Sequence, residues 1–128
     1  MDRALYQDTY RRMFEETAVV VFIKANGKFR VMLATRNMDT VRLLKHNDVL
    51  AGAQMRGHDN RCNINNGNMS VIDLEIGEGR SFNVDRLIKL HWFGVIDTEE
   101  KAENCLEQFK EFSKRYNEAS MSLEDINL

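Results

Sequence analysis

Val19-Val20-Val21-Phe22-Ile23 is the strongest constraint in the chain. Every side chain in this run is β-branched or aromatic, a composition that fits a strand. Successive strand residues face opposite ways, so an apolar run without polar alternation has to be covered on both sides. Just downstream, Asn26-Gly27 marks a tight hairpin, because both central positions of a type I′ turn need positive φ. The return strand is expected from Lys28 to about Arg36. It places Phe29, Val31 and Leu33 on one face and Arg30, Met32 and Ala34 on the other.

The remaining segments add helices at both ends. Residues 2–17 read as an amphipathic helix, with Leu5, Tyr6, Tyr10, Met13 and Phe14 at helical spacing. Residues 37–68 are rich in Asn and Gly and read as a long turn-rich loop, with a short helix from Asp39 to Lys45. From Met69, Ser70, Ile72, Leu74 and Ile76 alternate with Val71, Asp73 and Glu75, the pattern of a half-buried strand. Gly77-Glu78-Gly79 is a turn signal, and Arg80 to Val84 reads as the next strand. Asp85-Arg86-Leu87 reads as a one-turn interruption, and a short strand follows with Ile88, Leu90 and Trp92 on one face. Asp97, with Glu100 three residues on, fits a capping box for a last helix over 97–117. Ala102, Cys105, Leu106, Phe109, Phe112 and Tyr116 form its apolar stripe, and 118–128 reads as a frayed tail. The expected architecture is α+β: one domain over 1–128, in which 18–94 make a small antiparallel β-barrel or strongly curled sheet between an N-terminal and a C-terminal helix.

Charge divides this frame. Residues 18–96 carry 11 basic and 7 acidic side chains, whereas 97–128 carry 4 basic and 9 acidic. The basic centre suits a polyanion or nucleotide, and the acidic helix suits a protein partner. The overall charge of −2 disfavours tight duplex binding, which needs a strongly basic domain. The longest purely apolar run, Ala18 to Ile23, is too short to cross a bilayer. The opening Met1-Asp2-Arg3-Ala4 has no apolar signal core, and two cysteines are too few for a disulfide scaffold. The expected setting is therefore the cytoplasm, without membrane attachment.

The segment Val71-Ile72-Asp73-Leu74-Glu75-Ile76-Gly77-Glu78-Gly79-Arg80-Ser81-Phe82-Asn83-Val84-Asp85-Arg86-Leu87-Ile88 resembles the WYL-type modules, Sm/SH3-like β-barrels of bacterial transcription regulators and small phage proteins. Arg80, Phe82, Asp85, Arg86 and Leu87 match that signature in order and spacing. The hairpin Phe22 to Asn37 is similar to the first hairpin of the small stand-alone phage branch. No Trp-Tyr-Leu triplet occurs, and Met69-Ser70-Val71 stands near its place. The resemblance implies a regulatory binding module without a helix-turn-helix domain of its own, with nucleotide or single-stranded nucleic acid as ligand class.

Candidate residues follow from both lines. Arg30, Arg36, Arg80 and Arg86 could make a basic face for phosphates, since the planar guanidinium is a bidentate donor. The alternatives are structural: Asp85 with Arg86 tying the turn, or Asp73 pairing with Arg80. Phe82 reads as core. Trp92 and Phe93 are adjacent and face opposite sides if extended, so one of them could be an exposed anchor for a partner. His46, His58 and Cys62 fall short of a metal-ligand set, and Cys105 reads as a packed thiol. There is no phosphate-loop, nucleophile-elbow or dinucleotide signature, so neither catalysis nor a cofactor is expected. The sequence thus points to a non-enzymatic regulatory protein, a phage-type accessory factor that binds RNA polymerase or another transcription component. The alternative is a module that binds nucleic acid or a nucleotide.

Overall fold

The computed structural model describes residues 2–44 and 62–118. In chain order they form α1 (Arg3–Met13), β1 (Thr17–Ile23), β2 (Phe29–Thr35), α2 (Met38–Leu43), β3 (Asn68–Asp73), β4 (Glu78–Asn83), a one-turn 3-10 helix (Val84–Arg86), β5 (Leu87–Gly94) and α3 (Glu99–Glu118). The fold is α+β, with one five-stranded antiparallel sheet in the order β4-β3-β2-β1-β5. The His46 and His58 positions and the 118–128 tail beyond Glu118 lie outside the described residues.

The sheet is strongly curled. The rings of Phe22 on β1 and Phe82 on β4 lie 5.9 Å apart. Those strands are three ladder steps apart, which a flat sheet would hold at roughly 14 Å. The link from β4 to β5 agrees. Asn83 and Leu87 are joined by four peptide steps, a reach of at most about 14 Å, yet a flat sheet would put its two edges about 19 Å apart. The sheet is not closed, however. β4 and β5 are its edges and do not pair, so the expected cylinder retains a seam. β4 (Glu-Gly-Arg-Ser-Phe-Asn) has one large apolar side chain, Phe82, and polar groups solvate the rest of it.

Both faces of the curl are packed. Inside it, Ala18, Val20, Phe22, Met32, Ala34, Met69, Val71 and Phe82 form a core with Tyr6 and Met13 of α1. Outside it, Val19, Val21, Leu33 and Ile72 pack with Val41 of α2 and with Ala102, Cys105 and Phe109 of α3. β1 is accordingly buried on both faces, as its composition demands. β3 is too, against the half-buried expectation: Val71 and Asp73, on the side that carries the acidic residues, are buried as well.

Several boundaries differ for physical reasons. Lys24 N–H donates to the Lys28 carbonyl at 2.8 Å, so the hairpin loop has three residues, with Gly27 alone in the left-handed region at φ 83°. Two irregularities in the β1–β5 ladder, at Val21/Phe22 and Thr17/Ala18, break the simple alternation of β5. Ile88 therefore packs outside while Leu90 and Trp92 pack inside. The cap of α3 is Thr98, not Asp97: its Oγ1 accepts from Lys101 N–H at 3.2 Å. The Asp97 carboxylate instead takes the Lys101 ammonium at 2.8 Å.

Candidate basic groove

The four arginines read as one basic face have three different fates. Arg30 and Arg36 do share a face, because they share strand parity. But Arg36, just past the end of β2, is only 4% exposed. Its guanidinium lies 4.9 Å from the ring centres of both Tyr10 and Phe14. Nη1 donates to the Ser70 carbonyl and, at 3.2 Å each, to Ser70 Oγ and Cys62 Sγ. Its backbone N–H bonds the Met13 carbonyl at 2.7 Å. Thus Arg36 is a buried pin that joins α1 to β2 and β3, and it is unavailable to a ligand. Arg86 is exposed on the 3-10 turn, away from the other arginines' groove.

Arg30 and Arg80 are brought together. They line a cavity of about 220 Å³ with Phe22, Lys24, Ala25, Met32 and Ser81. The cavity lies inside the curl, toward the β1–β2 hairpin, beyond the end that α1 covers. Each wall has a local cause. Lys24 follows β1 in the parity of Val20 and Phe22, so it continues the inner face. Arg30 stands opposite Phe22 in the β1–β2 register. Arg80 stands opposite Val71 in the β3–β4 register, which also sets it inside. Phe22 and Met32 supply an apolar floor. The side chains of Arg30 and Arg80 are 36% and 42% exposed, open enough to meet a ligand.

Carboxylates partly balance these cations. Asp73 Oδ2 lies 3.7 Å from Arg30 Nη2, and Glu78 Oε2 lies 3.4 Å from Arg80 Nη2. Asp73 is buried and its carboxyl is held above the usual range. Desolvation outweighs the Glu75 N–H bond and the attraction of Arg30 and Arg80. The predicted Asp73–Arg80 pair is therefore present only as a longer-range attraction, with Arg30 the closer cation. The Nε–H of Arg80 is buried and has no hydrogen-bond partner among the described residues. Lys24 is the groove residue that the sequence reading missed. Its shared parity with Phe22 and Arg30 was the available signal.

The aromatic anchors are not free. Trp92 packs in the inner core with Arg12 stacked 4.1 Å above its ring, and Phe93 packs on the outer core beside His91. They face opposite sides as expected, but neither is an exposed anchor. Arg12 Nε also bonds Glu16 Oε2 at 2.9 Å, which holds that carboxyl below its ordinary range. Phe82 is core, 2% exposed. Burial pushes the Cys105 thiol up to about 12, which makes it an inert packed group. A larger cavity of about 400 Å³ beside Tyr6, Gln7, Tyr10, Arg11 and Ile64 has a single cation and no convergence of charge. Among the described residues no three His, Cys, Asp or Glu side chains gather as a metal site, and no helix is long and apolar enough to cross a membrane. No family model, curated protein or solved structure matches the chain.

Proposed function

We propose that the protein is a non-enzymatic regulatory module that binds a phosphate-bearing ligand, a nucleotide or single-stranded nucleic acid, in the groove of Lys24, Arg30 and Arg80. One observation carries this reading: three cations, Lys24 just past β1, Arg30 on β2 and Arg80 on β4, line one concavity with an apolar floor. Guanidinium groups suit phosphate oxygens, and the Arg80 Nε–H is a donor in want of an acceptor. The strand order also supports a resemblance to Sm/SH3-like barrels. The pairing it lacks is between β4 and β5, the two strands that the 3-10 turn joins.

A thermal-shift screen with nucleotides and short oligonucleotides tests the proposal. A ligand at about 100 times its Kd adds about 2.7 kcal/mol to stability. The gain should vanish in Arg30→Gln/Arg80→Gln without loss of fold. A variant that keeps full binding would remove the groove from the account. Arg36 drops out of this test, because a substitution there would disturb packing first.

A second reading has its own observation. Glu103, Glu107 and Glu111 lie one helical turn apart and are all exposed on α3, whose opposite stripe is docked on the sheet. Such a face suits a basic patch on a protein, and RNA polymerase or another transcription component, in a phage-type setting, is the partner class the sequence suggested. Pull-down from host lysate with and without nuclease separates the two readings. Recovery that survives nuclease and fails in Glu103→Lys/Glu107→Lys favours the helix; recovery lost on nuclease treatment favours the groove.

A further inference from the structure

An anion stands beside the groove: Asp73 is not one of the lining residues but pairs with one of them, Arg30. Asp73 ends β3 on the inner face, 7% exposed at its side chain, and its Oδ2 points toward the Arg30 guanidinium at 3.7 Å. The charged groups that face it come from two neighbouring strands. Arg30 comes from β2; Arg80 comes from β4, together with Glu78, the cross-strand partner of Asp73. From the turn, Glu75 N–H donates to Oδ1 at 3.0 Å and fixes the carboxylate's orientation. A phosphate oxygen entering between Arg30 and Arg80 would therefore meet a carboxylate that already pairs with Arg30 and is attracted at longer range by Arg80. Like charges this close in a partly desolvated site oppose one another strongly.

Resting on the reading of the groove as an anion site, we propose that Asp73 is an internal counterion that competes with the ligand for Arg30 and Arg80, so that anion uptake is coupled to proton uptake by this carboxylate. In its charged form Asp73 lowers the positive charge at the groove and weakens anion binding. Once protonated, it leaves both guanidinium groups to the ligand and can donate a hydrogen bond to it. Burial favours that protonated form, which brings the change above the ordinary carboxylate range. Selectivity follows as well: a ligand that displaces Asp73 has to outweigh a single carboxylate charge, which favours dianionic phosphate and sulfate over acetate-like groups.

Sulfate is the suitable probe, because its charge does not change between pH 4.5 and 8 whereas that of inorganic phosphate does. Calorimetric titration of the full chain with sulfate should show affinity rising by about tenfold as pH falls across this range, an energy of ~1.4 kcal/mol. Asp73→Asn should bind at pH 7 as tightly as the wild type does at the acid end, with little remaining pH slope. An Asn variant with the wild-type slope would overturn the proposal. The same coupling can be read without a substitution. Linkage is reciprocal, so saturating sulfate must raise the pH midpoint of the Asp73 carboxyl carbon followed by NMR. A midpoint that sulfate leaves in place would also overturn the counterion role. Sulfate binding with no pH dependence defeats this inference and leaves the groove standing. No binding at any pH defeats the groove itself.

Discussion

Arg30 and Arg36 stand at the two ends of β2, six residues apart on one face, and they meet opposite environments. At the Arg36 end, α1 crosses the mouth of the curl. Met13 and Glu16 carbonyls take hydrogen bonds from the Arg36 backbone and the Thr35 hydroxyl, and Tyr10 and Phe14 close over the guanidinium. At the Arg30 end no helix crosses among the described residues, and the face opens into the groove. One residue type on one strand therefore serves as a structural pin at one end and as a candidate ligand donor at the other. What distinguishes them is the reach of α1, an element far away in sequence. Parity tells which side a residue faces; the rest of the fold decides whether that side is wet.

The largest test of this contrast is Arg36→Glu against Arg30→Gln. In the first, a carboxylate replaces a cation held between two ring faces and three acceptors. The buried acceptors lose their donor and the new charge has no partner, so the loss should exceed about 4 kcal/mol and the chain should be largely unfolded at 25 °C. Arg30→Gln alters a partly exposed side chain with one long ion pair and should move stability by no more than about 0.5 kcal/mol. Urea unfolding followed by circular dichroism measures both. Equal midpoints would mean that the two ends are not different in kind.

Removing the lid without the pin should have an intermediate effect. Tyr10→Ala takes away one ring over Arg36, its stack on Tyr6 at 6.3 Å and its edge contact with Phe14 at 5.1 Å. A half-buried aromatic with a cation–π contact is worth about 2 kcal/mol here. Anion binding at the other end should be unchanged. A loss of sulfate affinity in Tyr10→Ala would show that the two ends are coupled through the inner core.

Much of the frame was legible because it depends on local periodicity. The apolar run in β1 and the stripe of α3 each bury a face whatever the topology, and the Asn26-Gly27 hairpin reverses the chain where expected, through a three-residue loop instead of a type I′ turn. A barrel was expected and the curl is there, but the open arrangement of its edges was not legible. It depends on β5 returning to β1 rather than β4, and on two ladder irregularities that turn Ile88 and Leu90 to opposite faces. At the site, sequence reasoning found Arg30 and Arg80 by residue type and missed Lys24, which lies at the hairpin's shoulder. It grouped Arg36 with Arg30 because the two share strand parity. The contrary signal was present in α1, where Tyr10 and Phe14 at i, i+4 form an aromatic pair able to cover a guanidinium. The same spacing also fits ordinary core, so it could not decide the point alone.

On the outer face, the cap of α3 gives a smaller and cleaner test. Thr98→Ala removes the acceptor for Lys101 N–H and should cost about 1 kcal/mol. Asp97→Ala removes only the exposed pair with Lys101 and should leave the unfolding midpoint nearly unchanged. The reverse order would restore Asp97 as the cap.

The smallest effect on stability concerns the open end and depends on pH. Asp73 has a raised folded-state pKa, so between its unfolded and folded values the folded chain binds more protons than the unfolded chain. Stability from this group is therefore fully present below the unfolded value and is lost as pH rises through the folded one. Glu16 and Asp97, whose carboxyls are held low by Arg12 and Lys101, work in the opposite direction as pH falls. The total curve mixes these contributions, but the difference between wild type and Asp73→Asn isolates one of them. The Asn variant should be the more stable at pH 7. The gap should close as pH falls through the carboxylate range, because the protonated carboxyl and the amide that replaces it are both neutral. Paired urea titrations at pH 7, 5.5 and 4 without added sulfate would read that gap. If the gap widened toward low pH, ionic attraction to Arg30 would outweigh desolvation, and the open end would be held by an ion pair much as the closed end is held by its pin.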